Sequence, residues 1–200
     1  MEEGRRSRGY LPHIEGANLT QFVTFHLADA LPKDALEEMR IALAELPEGE
    51  RKKDLARRVE AYCDAGYGEC HLRDPRVARL LEKKFFAHHG DIYHLHAWCV
   101  MPNHAHVLLT PSPGVSLSLA MQRIKGGSAI ETNRLLGREG RLWQPEYYDV
   151  FMRSETHFWG VMKYIEWNPV KVGIVRDPKL FDWSSANDEA WARFERHRPG

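Results

Sequence analysis

No stretch of this sequence approaches the ~18 to 20 consecutive apolar residues that a membrane span needs, so no membrane partner is expected. The first ten residues, Met1 to Tyr10, lack the apolar segment of a secretory signal, and a cytoplasmic address is the expectation. Cysteine is scarce. Cys63, Cys70 and Cys99 are odd in number and form no CxxC pair, which argues against a disulfide framework or a structural zinc site. Neither sign of charge is in excess, with 28 Lys plus Arg against 28 Asp plus Glu, so a polyanionic partner would have to be held by a local patch. Repeats and low-complexity tracts are absent. What remains is 200 residues, 43% hydrophobic and 28% charged, the composition of one globular domain of ordinary size. Eleven histidines and six tryptophans stand out, more than a core of this size demands.

Residues 1–17 are polar, carry Arg5, Arg6 and Arg8, and read as a flexible basic arm. The run Leu19 to His26 is rich in β-branched and aromatic residues and predicts the first strand. Helical spacing follows over Lys33 to Leu46, about Lys52 to Ala65, and Pro75 to His88, three pieces that predict a helical insertion of about 33–88 after that strand. Ile92 to Met101 and His104 to Thr110 form a hairpin pattern about Pro102-Asn103. Ser116 is placed to cap a helix to about Leu136, Leu142 to Met152 reads as a fourth strand, and a last clear helix runs from Glu155 to a stop at Asn168-Pro169. The order predicts an α+β fold: a ferredoxin-like antiparallel sheet with helices on one face, plus a C-terminal helix. The single domain is expected over 18–187, followed by a tail over 188–200.

On the second strand of the hairpin, His104 and His106 stand at i and i+2. Their side chains leave one face about 6 to 7 Å apart along the chain, where two imidazoles can converge on one ion. His94 and His96 have the same spacing on the preceding strand, and geometry leaves the two pairs unranked. On the last helix, Phe158, Val161, Met162 and Ile165 form the buried stripe, while His157, Tyr164 and Asn168 fall within about 40° of one another on its flank. A phenol of ordinary pKa about 10 is a poor nucleophile unless a cation or base lies nearby. Tyr147 and Tyr148 are competing tyrosines. Between Met121 and Arg141 the residues Arg123, Lys125, Arg134, Arg138 and Arg141 outnumber Glu131 and Glu139 by three, a local basic surface. Trp167 points away from the apolar stripe, where an aromatic can stack an unpaired base.

Three runs carry a resemblance: Met101-Pro102-Asn103-His104-Ala105-His106-Val107-Leu108-Leu109; Leu142-Trp143-Gln144 with Tyr147-Tyr148-Asp149; and Tyr164-Ile165-Glu166-Trp167-Asn168-Pro169-Val170-Lys171-Val172-Gly173. With Tyr10-Leu11-Pro12-His13, Phe22-Val23-Thr24-Phe25, Leu72-Arg73-Asp74-Pro75 and Trp183-Ser184-Ser185-Ala186 they occur in the order found in the REP-associated tyrosine transposases, of the single-tyrosine HUH superfamily, which this chain resembles over about residues 10 to 187. The resemblance implies a metal-dependent single-stranded DNA endonuclease and strand transferase acting near DNA hairpins through a 5'-phosphotyrosine. It makes Tyr164 the nucleophile, and His104 and His106 rather than His94 and His96 the holders of a divalent ion, Mg or Mn, with Asn168 completing the site. Arg123, Lys125, Arg134 and Trp167 are the expected contacts to single-stranded or hairpin DNA, by a monomer or homodimer. Two other readings stay open: a domesticated hairpin-binding protein without transposition activity, and a metal-dependent hydrolase in which Tyr164 only packs.

Overall fold

The computed structural model describes residues 4–7, 12–15 and 19–196. Gly4–Ser7 (β1) and Pro12–Glu15 (β2) pair antiparallel, so part of the arm expected to be loose carries a two-stranded ladder of its own; Arg8 lies outside the described residues. The main sheet contains Gln21–His26 (β3), Tyr93–Val100 (β4), His104–Pro111 (β5) and Tyr148–Phe151 (β6) in the order β4-β5-β3-β6, all neighbours antiparallel. This is the ferredoxin-like order expected. The fourth strand is shorter than its apolar pattern suggested, because Trp143 makes only an isolated bridge to Leu27 before the chain reaches β6.

Alternation along the strands sends two sets of side chains to opposite faces. Val23, Phe25, Ala105, Val107 and Leu109 pack beneath Pro75–Phe86 (α3) and Leu117–Leu136 (α4). Phe22, Ala97, Cys99, Met101 and Leu108 face Glu155–Lys171 (α5) through Ile165, with Phe158, Val161, Met162 and Tyr164 around it. Asp74 caps α3 by accepting from Arg76 N, and Ser116 caps α4 as expected by accepting from Leu119 N; each satisfies one of the free N–H groups of a helix start. Within the stretch read as an insertion lie Lys33–Ile41 (α1) and Glu48–Asp64 (α2), followed by α3, which packs on the sheet as part of the core.

The α5 helix does not stop at Asn168-Pro169; it continues to Lys171 with Pro169 inside it. A proline this near a helix end forfeits one backbone bond, and the turn is closed instead by Val172 N to Asn168 O (3.2 Å) and Ile174 N to Pro169 O (2.9 Å). The stop is Gly173, whose φ of +75° is the left-handed conformation glycine adopts freely.

The expected C-terminal tail is also part of the fold. Trp183 and Ser185 bond the backbone of β4 (Val100 N to Trp183 O and Ser185 N to Trp98 O, both 2.9 Å), covering an edge that would otherwise present unpaired groups. Asp188–Glu195 (α6) then buries Ala190 and Phe194 against the core. Residues 197–200 lie outside the described residues. The α6 helix is fixed by a buried ion pair: Arg193 donates from Nε (3.0 Å) and Nη2 (3.1 Å) to Glu82 of α3, which also accepts from Trp98 Nε1 (3.3 Å). Removing one partner of such a pair strands a buried charge at a cost of about 3 to 5 kcal/mol. Arg193→Ala is therefore expected to lower the melting temperature on the order of 10 °C; an unchanged thermal melt would show that α6 is not held by this pair.

Candidate metal and tyrosine site

The site lies on the α5 face of the sheet, at the end of the β4–β5 hairpin. Asn103, at its turn, donates from Nδ2 to the carbonyls of Cys63 (3.0 Å) and Tyr67 (2.9 Å), at and just beyond the end of α2. Those two acceptors fix the amide's orientation, so Asn103 Oδ1 must accept, and the Nδ1 of His104, 2.8 Å away, must carry its proton. His104 thus directs an unprotonated Nε2 into the site. His106, its neighbour on the same face, lies with Nδ1 2.8 Å from Thr24 Oγ1 on β3 and Nε2 3.1 Å from His104 Nε2. Both rings are buried.

From the other side α5 delivers two groups one turn apart. Asn168 places Nδ2 3.2 Å from His106 Nε2, and the Tyr164 ring packs edge-on against His106 at 5.8 Å and Phe22 at 5.7 Å. The α2 helix supplies a third wall. Asp64 Oδ1 faces His104 Nε2 at 3.7 Å, and Lys171 ion-pairs with both Asp64 Oδ2 (3.0 Å) and Glu60. The Lys171 ammonium also lies 5.6 Å over the Tyr164 ring. Glu60, Asp64, Lys171 and Thr24 were given no role from the sequence. Glu60 and Asp64 are one helical turn apart and share a face, but nothing in an insertion's sequence says what that face will meet.

Three buried polar atoms here, Asp64 Oδ1, Tyr164 Oη and Asn168 Oδ1, lack a well-formed hydrogen bond, the Tyr164 hydroxyl lying close to Glu60 and Asn168. Together with two imidazole nitrogens facing each other, they form a donor set of hard oxygens and imidazole, the kind that suits a divalent cation. Among the described residues no three His, Cys, Asp or Glu side chains converge as ligands, so a third protein donor beside the two histidines would be the amide, its oxygen and nitrogen exchanged by a rotation of the side chain. Burial first, and then the nearby Glu60 carboxylate, push the pKa of the Tyr164 phenol up, and in this state the hydroxyl keeps its proton.

Residues 76–168 match the family of IS200-like transposases, a segment that runs from α3 to Asn168 and contains both histidines and Tyr164. Over 100% of this chain and 92% of the other, the fold is similar to that of a REP-associated tyrosine transposase solved bound to a REP hairpin, with a TM-score of 0.55 and 17% identity. The chain resembles these transposases and has their fold. A presumed transposase from Deinococcus radiodurans R1 is similar over 80% of this chain and 95% of its own, at 17% identity and a TM-score of 0.33, too low an overlap to carry an argument. No curated protein matches the chain. Among the described residues no helix is long and apolar enough to cross a membrane.

The contacts in the structure place the other candidates elsewhere. His94 and His96 lie on the same sheet face but at the far end of the hairpin, where a bulge at His96 lets its Nε2 bond Thr110 Oγ1 at 2.7 Å. Tyr147 packs beneath Lys125, and Tyr148 belongs to the α5-facing cluster. Arg123 and Arg134 are exposed on one face of α4, across the sheet from Tyr164. Lys125 does not face solvent as a phosphate contact should: its ammonium donates to the carbonyls of Gln144 (2.8 Å) and Pro145 (3.0 Å), and burial lowers its pKa to about 8. Trp167 is exposed on the outside of α5.

Burial lowers several imidazole pKa values, to about 4 for His26 and His96 and about 3 for His106, with Lys125 beside His26, the His94 and His89 rings beside His96, and His26 and Lys171 beside His106 adding to the effect. The folded state therefore keeps neutral rings that the unfolded chain protonates near 6.5. The stability they contribute is present in full above pH 6.5 and is lost as pH falls through 6.5 toward 4. In chelator, the melting temperature is expected to fall between pH 7 and pH 5, and to fall less in His96→Gln. A flat profile would show that these rings titrate freely.

Proposed function

We propose that this protein is a DNA-nicking and joining enzyme, a metal-dependent tyrosine transposase acting on single-stranded DNA near a hairpin. The observation that carries the reading is the meeting of Tyr164 and Asn168 of α5 with the facing Nε2 atoms of His104 and His106 of β5. The relative with which it shares a fold was solved on a REP hairpin, and a hairpin of that kind is the first substrate to try. Tyr164 Oη would attack a phosphodiester, joining its oxygen to phosphorus as the 3'-oxygen leaves. The resulting 5'-phosphotyrosine conserves the bond energy for later rejoining to a 3'-hydroxyl. A divalent ion, Mg or Mn, held by His104, His106 and Asn168 would polarise the scissile phosphate and offset its charge. Asn103 and Thr24 hold the histidines' outer nitrogens, fixing which nitrogen faces the ion. Arg123 and Arg134 are proposed to contact DNA phosphates on the far side of the sheet, and Trp167 to stack a base.

A hairpin nicking assay read on a denaturing gel tests the reading. Wild type is expected to give a protein–DNA adduct that survives denaturant, and Tyr164→Phe to lose adduct and nicking while still binding DNA. His104→Ala and His106→Ala should be inactive, His94→Ala active, and EDTA should silence the wild type. An adduct in Tyr164→Phe would sink the assignment. The sequestered Tyr164 hydroxyl favours a second reading, a hairpin-binding protein without strand transfer; binding with no adduct in Mg or Mn would select it.

Thr24→Val leaves His106 Nδ1 without its partner at nearly constant volume. It is expected to weaken Mn binding, measured by calorimetry, about 10- to 100-fold. Asn168→Ala should likewise raise the metal needed for half-maximal cleavage. A lowered melting temperature with unchanged metal dependence would reduce Asn168 to a packing role.

A further inference from the structure

The solvent face of α5 carries four residues at intervals of four: Trp159, Lys163, Trp167 and Lys171. Each step climbs the helix about 6 Å and drifts about 40°, so the row winds along the outside of the helix that carries Tyr164. Its two indoles are exposed at 56% and 47%, large for tryptophan and outside both core clusters. Neither is loose. Trp159 donates from Nε1 to Glu155 (3.3 Å) and packs edge-on against Phe158 (5.2 Å), and Lys163 holds its ammonium 5.9 Å from the Trp167 ring. The row ends at Lys171, half-exposed above the Tyr164 ring and paired with Glu60 and Asp64. Beside Trp159, Gly160 opens the helix surface, with nothing within 4 Å of where a Cβ would stand. A glycine inside a helix costs about 1 kcal/mol relative to alanine.

We infer that this face is a track for single-stranded DNA leading to the cleavage tyrosine, with bases stacked on Trp159 and Trp167 and phosphates beside Lys163. Stacking surfaces interleaved with cations are what an unpaired strand recognises without regard to sequence, since every base has a face and every linkage a charge. A protein partner fits less well, because lysine is depleted from the centres of protein–protein contacts, and here it sits between the two indoles. The inference rests on the transposase reading and adds what that reading lacks: Arg123 and Arg134 lie across the sheet, whereas this row shares the helix of the nucleophile.

The test uses the full chain carrying Tyr164→Phe, so that nothing is cut, with a 12-nucleotide oligo-dT followed by anisotropy and a REP-type hairpin without a single-stranded flank bound in parallel. Trp159→Ala and Trp167→Ala are each expected to weaken oligo-dT binding about 5-fold or more and to leave the flankless hairpin nearly unaffected, while Trp→Phe retains most of the affinity. Lys163→Gln should flatten the salt dependence of oligo-dT binding by about 0.7. Both tryptophans are exposed, and unchanged thermal melts would confirm that the variants fold. Oligo-dT affinity and salt slope unchanged in all three variants, with the hairpin still bound, would overturn the track alone. Failure of every form to bind any DNA would overturn the transposase reading with it. Light scattering that shows a dimer dissociated by Trp→Ala would instead make this face a contact between copies.

Discussion

The Asn103 side chain spends both of its amide hydrogens on the carbonyls of Cys63 and Tyr67, and that leaves it no freedom at the other end. Its oxygen accepts from His104, which fixes the proton on Nδ1 and turns an unprotonated Nε2 toward His106. The site therefore depends on the backbone at the end of α2. Residues that look like an insertion between the first strand and its crossover helix supply the acceptors that set a histidine's tautomer, and they also contribute Asp64 and the carboxylate beside Tyr164. Remove that backbone and the Asn103 amide can rotate, after which either nitrogen of His104 can carry the proton.

The α5 helix answers to three surroundings at once. One stripe packs on the sheet, with Ile165 buried and Phe158, Val161 and Met162 half-buried around it; one flank holds Tyr164 and Asn168 at the site; the rest meets solvent. Packing fixes the rotation of the helix about its axis, because turning Ile165 out of its cluster would expose a core residue at a cost of about 1.5 to 3 kcal/mol. The position of the tyrosine is thus set by apolar residues that take no part in its chemistry. The opposite sheet face, under α3 and α4, supplies the larger core and leaves the α5 side free to carry buried polar groups.

The strands, the hairpin, the α5 stripe and the capping serine of α4 were legible because each rests on a local pattern: alternation, helical spacing, a hydroxyl at a helix start. The choice between two His-x-His pairs was not, since both lie on one sheet face and only the resemblance separated them. Their difference is tertiary. Both pairs lie under α5, but only His104 and His106 also meet α2 and Asn168, whereas His96 sits at a bulge and packs on Phe158. Thr24 escaped notice because its role is set by the register of β3 on β5, which a sequence does not display. Lys125 misled for a related reason: a lysine in a basic stretch looks solvated, yet this one turns back to fasten the segment before β6. At Asn168-Pro169 a sound local rule lost to position, a proline in the last turn having little helix left to break.

Burying a polar atom without a partner costs about 1 to 3 kcal/mol, a large share of the 5 to 15 kcal/mol by which a domain is stable. Natural cores avoid such atoms, and here three of them lie around two facing imidazole nitrogens, a costly grouping that a bound cation would relieve. The same geometry limits what the site can do in this arrangement. Tyr164 Oη is out of contact with solvent, protonated, and walled by carboxylates that would repel a phosphate. On the proposed reading, attack on DNA would require those carboxylates to give way; they are tied to Lys171, whose charge could be met by a phosphate in their place. Exchange of one anion for the other at Lys171 would leave the lysine paired throughout.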